Sequence, residues 1–254
     1  MTPIKTDERI YKAALLIIGN EILSGRTQDA NLAYLAKWLN QQGIRLAEAR
    51  VVSDETDDIV AGVNALRARY DYVFTTGGIG PTHDDITVEA IAAAFHVPVI
   101  MHPKAEQILR DHYKERITDA RLRMARVPEG ASLIENAVSA APGIRIDNVF
   151  IMAGIPSVTR GMLASLSGTL LGGKPVLSRT VSAYVAESSV SELLLSVEKA
   201  HPGVLVGSYP VWRGDKVGAN FVVSGIDLPN IERAVAAIAE GLQLKGITPT
   251  SEEI

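Results

Sequence analysis

Three times between Ala13 and Phe95, a short strand-like segment breaks off at a glycine or small polar residue and gives way to apolar residues spaced as on one helix face. Ala13 to Ile18 is an unbroken apolar run ending at Gly19, as in a strand buried on both faces. Leu32, Leu35, Ala36 and Leu39 then follow helical spacing, and Gly43 suits the position just past a helix end. Ile44 to Val52 reads as the next strand. Asp57 to Arg69 reads as a helix with Ile59, Val60, Val63 and Leu66 on one side. Tyr72 to Thr75 is a third strand and Val88 to Phe95 a third helix. Alternating strands and helices predict an α/β fold, a doubly wound and mostly parallel sheet. Ligands of such sheets sit at the carboxyl ends of the strands. Gly19-Asn20-Glu21, Ser53-Asp54 and Thr76-Gly77-Gly78 all fall at such ends.

The third of these ends carries the densest chemistry. Gly77-Gly78-Ile79-Gly80-Pro81-Thr82-His83-Asp84-Asp85-Ile86-Thr87 joins strand to helix. Glycines let backbone amides approach an anion closely, and a helix start adds free N–H groups and a positive dipole end. The pattern predicts a phosphate or nucleotide cradle built from the amides of Gly77, Gly78 and Gly80 with Thr82 and Thr87. Asp84 and Asp85 have two readings. They favour the helix dipole, or they bridge to phosphate through a divalent cation such as Mg²⁺, Mn²⁺ or Co²⁺. Thr82 and Asp85 are also spaced as a capping pair.

Other candidates are weaker. Glu21 is either a solvated charge or a further metal ligand. Asp54 is either the cap of the next helix or a site carboxylate on the same rim. Arg121, Arg123 and Arg126 are either a phosphate clamp or a solvated helix face. None of the five histidines pairs at metal-ligand spacing. Neither a Gly-x-Ser-x-Gly elbow nor a Walker-type Gly-Lys-Ser/Thr occurs.

Composition removes several classes. The chain has no cysteine, which excludes disulfides, thiolate metal sites and thiol catalysis. A net charge of −4 is not the footprint of a nucleic-acid binder. No apolar run approaches a membrane span, and Met1 to Glu8 is too polar for a signal peptide, so the reading is a soluble cytoplasmic protein.

Pro103 is placed to open a helix with Ala105, Ile108, Leu109 and His112 inward. Val149 to Met152 reads as a fourth buried strand. Gly154-Ile155-Pro156 follows it, with Ser157 capping a helix towards Leu171. Beyond Leu171-Gly172-Gly173 the pattern changes to strand, helix, two strands around Arg213-Gly214-Asp215, and a helix from Pro229 to Leu244. The expectation is a first domain over 1–171 and a small α+β domain (β-α-β-β-α) over 172–254.

Several motifs in order resemble one family. They are Gly19-Asn20-Glu21-Ile22-Leu23-x-Gly25, Asn31, Asp54, the Thr76–Thr87 loop, Met124-Ala125-x-x-Pro128-x-Gly130-Ala131, Asn136 and Ala141-Pro142-Gly143. Over roughly residues 11–170 the chain resembles the competence/damage-inducible protein A (CinA) family, whose first domain is similar to the wider MoaB/Mog molybdopterin-binding fold. Two loops depart from it. Met152-Ala153-Gly154-Ile155-Pro156 stands where the family has Leu-Pro-Gly-Val-Pro, and Ser139-Ala140-Ala141-Pro142-Gly143 where it has Gly-Thr-Ala-Pro-Gly.

The resemblance implies a metal-dependent pyrophosphatase that cleaves ADP-ribose or FAD and releases AMP. It also implies two alternatives: a non-catalytic molybdopterin or pterin-nucleotide binder, and a molybdopterin adenylyltransferase. By position, Asp54 and Asp85 match aspartates of the Mog branch, and Asp84 is the extra carboxylate shared with CinA-type members. On the hydrolase reading, Asp84, Asp85 and Glu21 place the ion and Asp54 orients or deprotonates the water. Gly19, Asn20, Glu21, Thr76, Pro81, Gly154 and Pro156 join the glycine loop around the substrate. The match is to the short form, without the nicotinamide-mononucleotide deamidase domain. The expected assembly is a homo-oligomer, a dimer or a trimer.

Overall fold

The structure, a computed structural model, describes residues 9–250; the polar start Met1 to Glu8 lies outside the described residues. The chain divides into two compact units between Lys174 and Pro175.

The first unit begins with β1 (Tyr11–Ile18), a one-turn helix α1 (Asn20–Leu23), α2 (Asn31–Gln41), β2 (Ile44–Val52), α3 (Thr56–Arg67), β3 (Tyr72–Thr76) and α4 (Thr87–Ala94). It continues with β4 (Val99–Met101), α5 (Pro103–Tyr113), α6 (Asp119–Leu122), β5 (Arg126–Pro128), β6 (Ser132–Ile134), β7 (Gly143–Ile146), β8 (Val149–Met152) and α7 (Pro156–Leu166). The main sheet has the order β2-β1-β3-β8-β7-β6, while β4 and β5 form a separate antiparallel pair. β2, β1, β3 and β8 run parallel, and β7 and β6 complete the edge antiparallel. The chain leaves β1 towards β2 on one side and returns with β3 on the other. The strand ends therefore diverge around a crevice at β1 and β3, the usual ligand position in an open parallel sheet.

β1 shows why its residues are apolar throughout. Ala13, Leu15 and Ile17 pack with Leu35, Trp38 and Leu39 of α2 and Met162, Leu163 and Leu166 of α7. Ala14, Leu16 and Ile18 pack with Ile59, Val63 and Leu66 of α3 and Ile91 and Ala94 of α4. Each face of the strand is covered, so alternation is absent. On the first face Phe74 stacks on Phe150 with centroids 4.9 Å apart, and Trp38 meets Phe74 edge-on at 6.1 Å. Such pairs add about 0.5–1.5 kcal/mol each beyond area burial.

Local readings needed correction in the middle of the chain. Ser157 does not cap α7: Ile155 holds the N-cap position, Pro156 is the first helical residue, and the helix ends at Leu166. In α5 only Ala105 and Leu109 are fully buried, and His112 is exposed. The arginine-rich stretch is no continuous helix face. It is a 3-10 turn at Lys114–Arg116, the four-residue α6 and a second 3-10 turn at Arg123–Ala125.

The second unit is β9 (Leu177–Ala183), α8 (Ser191–Ala200), β10 (Val204–Arg213), β11 (Lys216–Gly225) and α9 (Leu228–Leu244). Its antiparallel sheet has the order β10-β11-β9. Val181, Phe221 and Val223 from the sheet pack with Leu194 and Val197 of α8 and Ile231, Ile238 and Leu242 of α9. Among the described residues no helix is long and apolar enough to cross a membrane.

Candidate functional site

At the carboxyl ends of β1, β3 and β8 lies an open cleft of about 600 Å³. Of the residues expected around a ligand, Glu21, Gly77, Gly78, Gly80, Pro81, Asp85, Gly154 and Pro156 line it. Gly19, Asn20, Asp54, Thr76, Thr82, Asp84 and Thr87 do not.

The glycine loop is held in shape by its neighbours. Gly77 has φ 107° and Gly78 φ 66°, both in the region that favours glycine. A Cβ on Gly77 would lie 2.1 Å from the Ile18 carbonyl oxygen, so β1 passes directly against this residue. The Gly77 N–H donates to the Met152 carbonyl at 3.2 Å, which ties the loop to β8. Gly77 is therefore a spacer and an anchor, and its amide is not open to a ligand. Among the described residues the amides of Gly78, Ile79 and Gly80 donate no hydrogen bond. Successive free N–H groups of this kind form an anion-binding nest.

Thr87 corrects the expectation that it touches phosphate. It is completely buried at the start of α4, its hydroxyl donates to the Gly77 carbonyl at 2.9 Å, and its N–H donates to the Gly78 carbonyl at 3.0 Å. The helix start thus clamps the loop through Gly77 and the Gly78 carbonyl and leaves the amides of Gly78, Ile79 and Gly80 unpaired. Thr76 is likewise buried in β3.

The acidic pair splits. The Asp85 carboxylate lines the cleft and accepts from the Thr82 N–H at 2.8 Å and from the Thr82 hydroxyl. A Cβ on Gly80 would lie 2.6 Å from one of its oxygens, so the carboxylate packs into the space that glycine leaves. Thr82 and Asp85 form a turn ahead of α4, whose N-cap position is Ile86. Asp84 is exposed. The Thr82 hydroxyl, followed by Asp84's own N–H, holds its carboxyl below the usual carboxylate range.

Asp54 and Glu21 organise the end of β1. The Asp54 carboxylate accepts from the Asn20 N–H at 2.7 Å, supplying the first turn of α1 with an acceptor from the neighbouring strand end. Glu55, not Asp54, holds the N-cap position of α3. The Glu21 carboxylate folds back over Gly19, where a Cβ would meet it at 2.5 Å. Among the described residues no group of three or more His, Asp or Glu side chains is placed to hold a metal ion. Asp84, Asp85 and Glu21 therefore do not converge as a protein-built metal cage.

The rest of the cleft comes from residues that spacing alone does not mark. Asn31 is buried at the start of α2 and donates to the Gly154 carbonyl at 2.8 Å, fixing the loop after β8. Asn136 shapes the opposite loop. Its amide donates to Ser139 Oγ at 2.7 Å and the Ala141 carbonyl at 2.8 Å, and its oxygen accepts from the Val138 N–H. Ser139 and Ala141 line the cleft, and Ala140 between them has φ 61°. Tyr113, Arg121, Met124, Val158 and Met162 complete the wall. Only the ordered motifs of the family resemblance pointed to Asn31 and Asn136; Tyr113 had no signal.

A family model described as a probable molybdopterin binding domain matches residues 14–173, and one described as the FAD synthase middle domain matches residues 175–251. A CinA-like protein of Desulfosudis oleivorans is 34% identical over 209 residues, covering 77% of this chain and 51% of that protein. A protein of Archaeoglobus fulgidus is 31% identical over 232 residues, covering 91% of this chain and 98% of its own length. The crystal structure of CinA from Thermoplasma acidophilum aligns at 31% identity with a TM-score of 0.59, covering 63% of this chain and 98% of that one.

Proposed function

The chain belongs to the CinA family, and we propose that its cleft binds a nucleotide or pterin through phosphate and hydrolyses a diphosphate linkage of the ADP-ribose or FAD type. The observation that carries the reading is the run of unpaired amides at Gly78, Ile79 and Gly80, three successive residues that line the cleft. Successive unpaired N–H donors on a fixed loop can bind and orient phosphoryl oxygens without reorganising. The neighbouring cleft volume of about 600 Å³ accommodates an organic ligand, and its wall of Met124, Val158, Met162 and Ile155 suits a ring system.

Asp85 is the carboxylate best placed to act. One of its oxygens is fixed by Thr82, and the side chain borders the same cleft as the amides. Fixed in this way, it can accept a proton from an attacking water. Asp54 is a positioning residue on this reading, because its carboxylate is committed to the Asn20 N–H. A Mg²⁺-type ion takes one or two carboxylates and completes its shell with substrate phosphates, so Asp85 or Glu21, which both line the cleft, would hold an ion shared with the ligand. Such an ion would supply Lewis-acid polarisation of a phosphoryl oxygen.

One observation favours a second reading, ligand binding without turnover. The carboxylates of Asp54 and Asp85 both accept backbone hydrogen bonds and so have a structural use already. The deciding experiment is a turnover assay with ADP-ribose and FAD in Mg²⁺, Mn²⁺, Co²⁺ or EDTA. AMP released only with metal supports the hydrolase; ligand binding with no AMP under any condition supports the pterin or nucleotide binder.

A further inference from the structure

One wall of the cleft holds a cation that the phosphate reading leaves unused. Arg121, in α6, lays its guanidinium over the Tyr113 ring, with Cζ 4.4 Å from the centroid. One of its terminal nitrogens donates to the Arg116 carbonyl. His112 meets the same ring edge-on at 4.8 Å. Tyr113 and Arg121 line the same cleft as Gly78 and Gly80. Among the described residues Arg121 forms no ion pair, whereas Arg126 is paired with Glu89 at 2.8 Å.

A guanidinium carries five donors in one plane, and a stack plus one carbonyl contact fixes that plane in advance. The donors not used on Arg116 suit a planar, two-point contact to an oxyanion. The glycine-loop amides already supply one phosphate site in the same cleft. A monophosphate occupies that site alone; a diphosphate brings a second charged group with it.

We propose that Arg121, held flat on Tyr113, receives the second phosphoryl group of a diphosphate-bridged ligand whose first phosphate sits on the Gly78–Gly80 amides. The proposal rests on the reading of the cleft as a phosphate site. It makes Arg121 and Tyr113 the residues that select diphosphate-bridged ligands over monophosphates.

The test is calorimetric binding of ADP-ribose and of AMP in EDTA, where metal-dependent turnover is off. Wild type binds ADP-ribose more tightly than AMP. R121A weakens ADP-ribose by about tenfold or more and AMP by less than about threefold, as loss of a charge-assisted contact to one group predicts. Y113L shifts the ADP-ribose to AMP ratio in the same direction, and R121K, which keeps charge without the planar stack, falls between. R110A, at an arginine of α5 that is paired with Glu106 and does not line the cleft, leaves the ratio unchanged. Should R121A fail to fold, R121K and Y113L carry the same ratio test. An unchanged ratio in these variants, or an equal shift in R110A, overturns the role of Arg121 and leaves the phosphate reading standing. Wild type that binds neither ligand, in EDTA or with Mg²⁺ present, overturns both.

Discussion

The Thr87 hydroxyl donates to the Gly77 carbonyl at 2.9 Å, so the first residue of α4 holds the first residue of the glycine loop across ten positions of sequence. The contact is fully buried, and removing it strands a carbonyl without water. T87V keeps the volume and deletes the donor. It should lose about 1–3 kcal/mol in a denaturant titration. It should also weaken ADP-ribose binding, since the loop it releases carries the free amides. Unchanged stability would mean the hydroxyl is not needed to hold the loop.

Gly77 allows a sharper case. Its φ of 107° and the Ile18 carbonyl 2.1 Å from any added Cβ leave no room for alanine. G77A must push the loop off β1 or open the β1–β3 pairing. The expected cost is about 2 kcal/mol or more, with loss of ligand affinity. A variant as stable as wild type would contradict the close approach of β1.

Asp54 and Asp85 separate by paired substitutions. D54N keeps an oxygen for the Asn20 N–H and should keep most turnover, while D54A should lose about 1 kcal/mol of stability. D85N keeps an acceptor for Thr82 but removes the proton acceptor. It should cut turnover by about 100-fold or more with little change in melting temperature. The reverse pattern would move the catalytic carboxylate to Asp54.

A pH prediction follows from the cluster at Glu48. The Tyr70 hydroxyl donates to Glu48 at 2.6 Å, while Arg50 and Arg69 pair with the same carboxylate at 2.6 and 3.2 Å. The Tyr70 hydrogen bond first, then Arg50, holds Glu48 below its ordinary value; the same bond first, then burial, holds Tyr70 above its own. A lowered carboxyl stabilises the fold above its unfolded range and loses this as pH falls through the folded value. A raised phenol stabilises it below its unfolded range and loses this as pH rises through the folded value. The cluster should therefore stabilise most between roughly pH 4 and 10. Ultraviolet phenolate titration, with Y70F as the difference, should place Tyr70 above free tyrosine, and E48Q should bring it down. No response to E48Q would refute the coupling.

Much of the architecture was readable because buried parallel strands leave a local mark. Ala13 to Ile18 has to be apolar on both faces, and Gly77 and Gly78 have to be glycine where β1 and Thr87 crowd them. The site was readable only as a region. That the Gly77 amide is spent on Met152, that Thr87 faces inward, and that Asp54 serves Asn20 depend on partners far apart in sequence. Arg121 reached the cleft through a four-residue helix too short to show a period, and Tyr113, the last residue of α5, follows Ala105 and Leu109 at helical spacing that marks it as packed but not as part of a site.

The Asn31 side chain spans 123 residues of sequence to hold the Gly154 carbonyl, and the Gly77 amide reaches across to β8. The binding loops therefore exist only while distant strands stay side by side. Any opening that parts β3 from β8 dissolves the cleft before the unit unfolds. A bound ligand should accordingly slow amide hydrogen exchange deep in both strands, at positions it never touches.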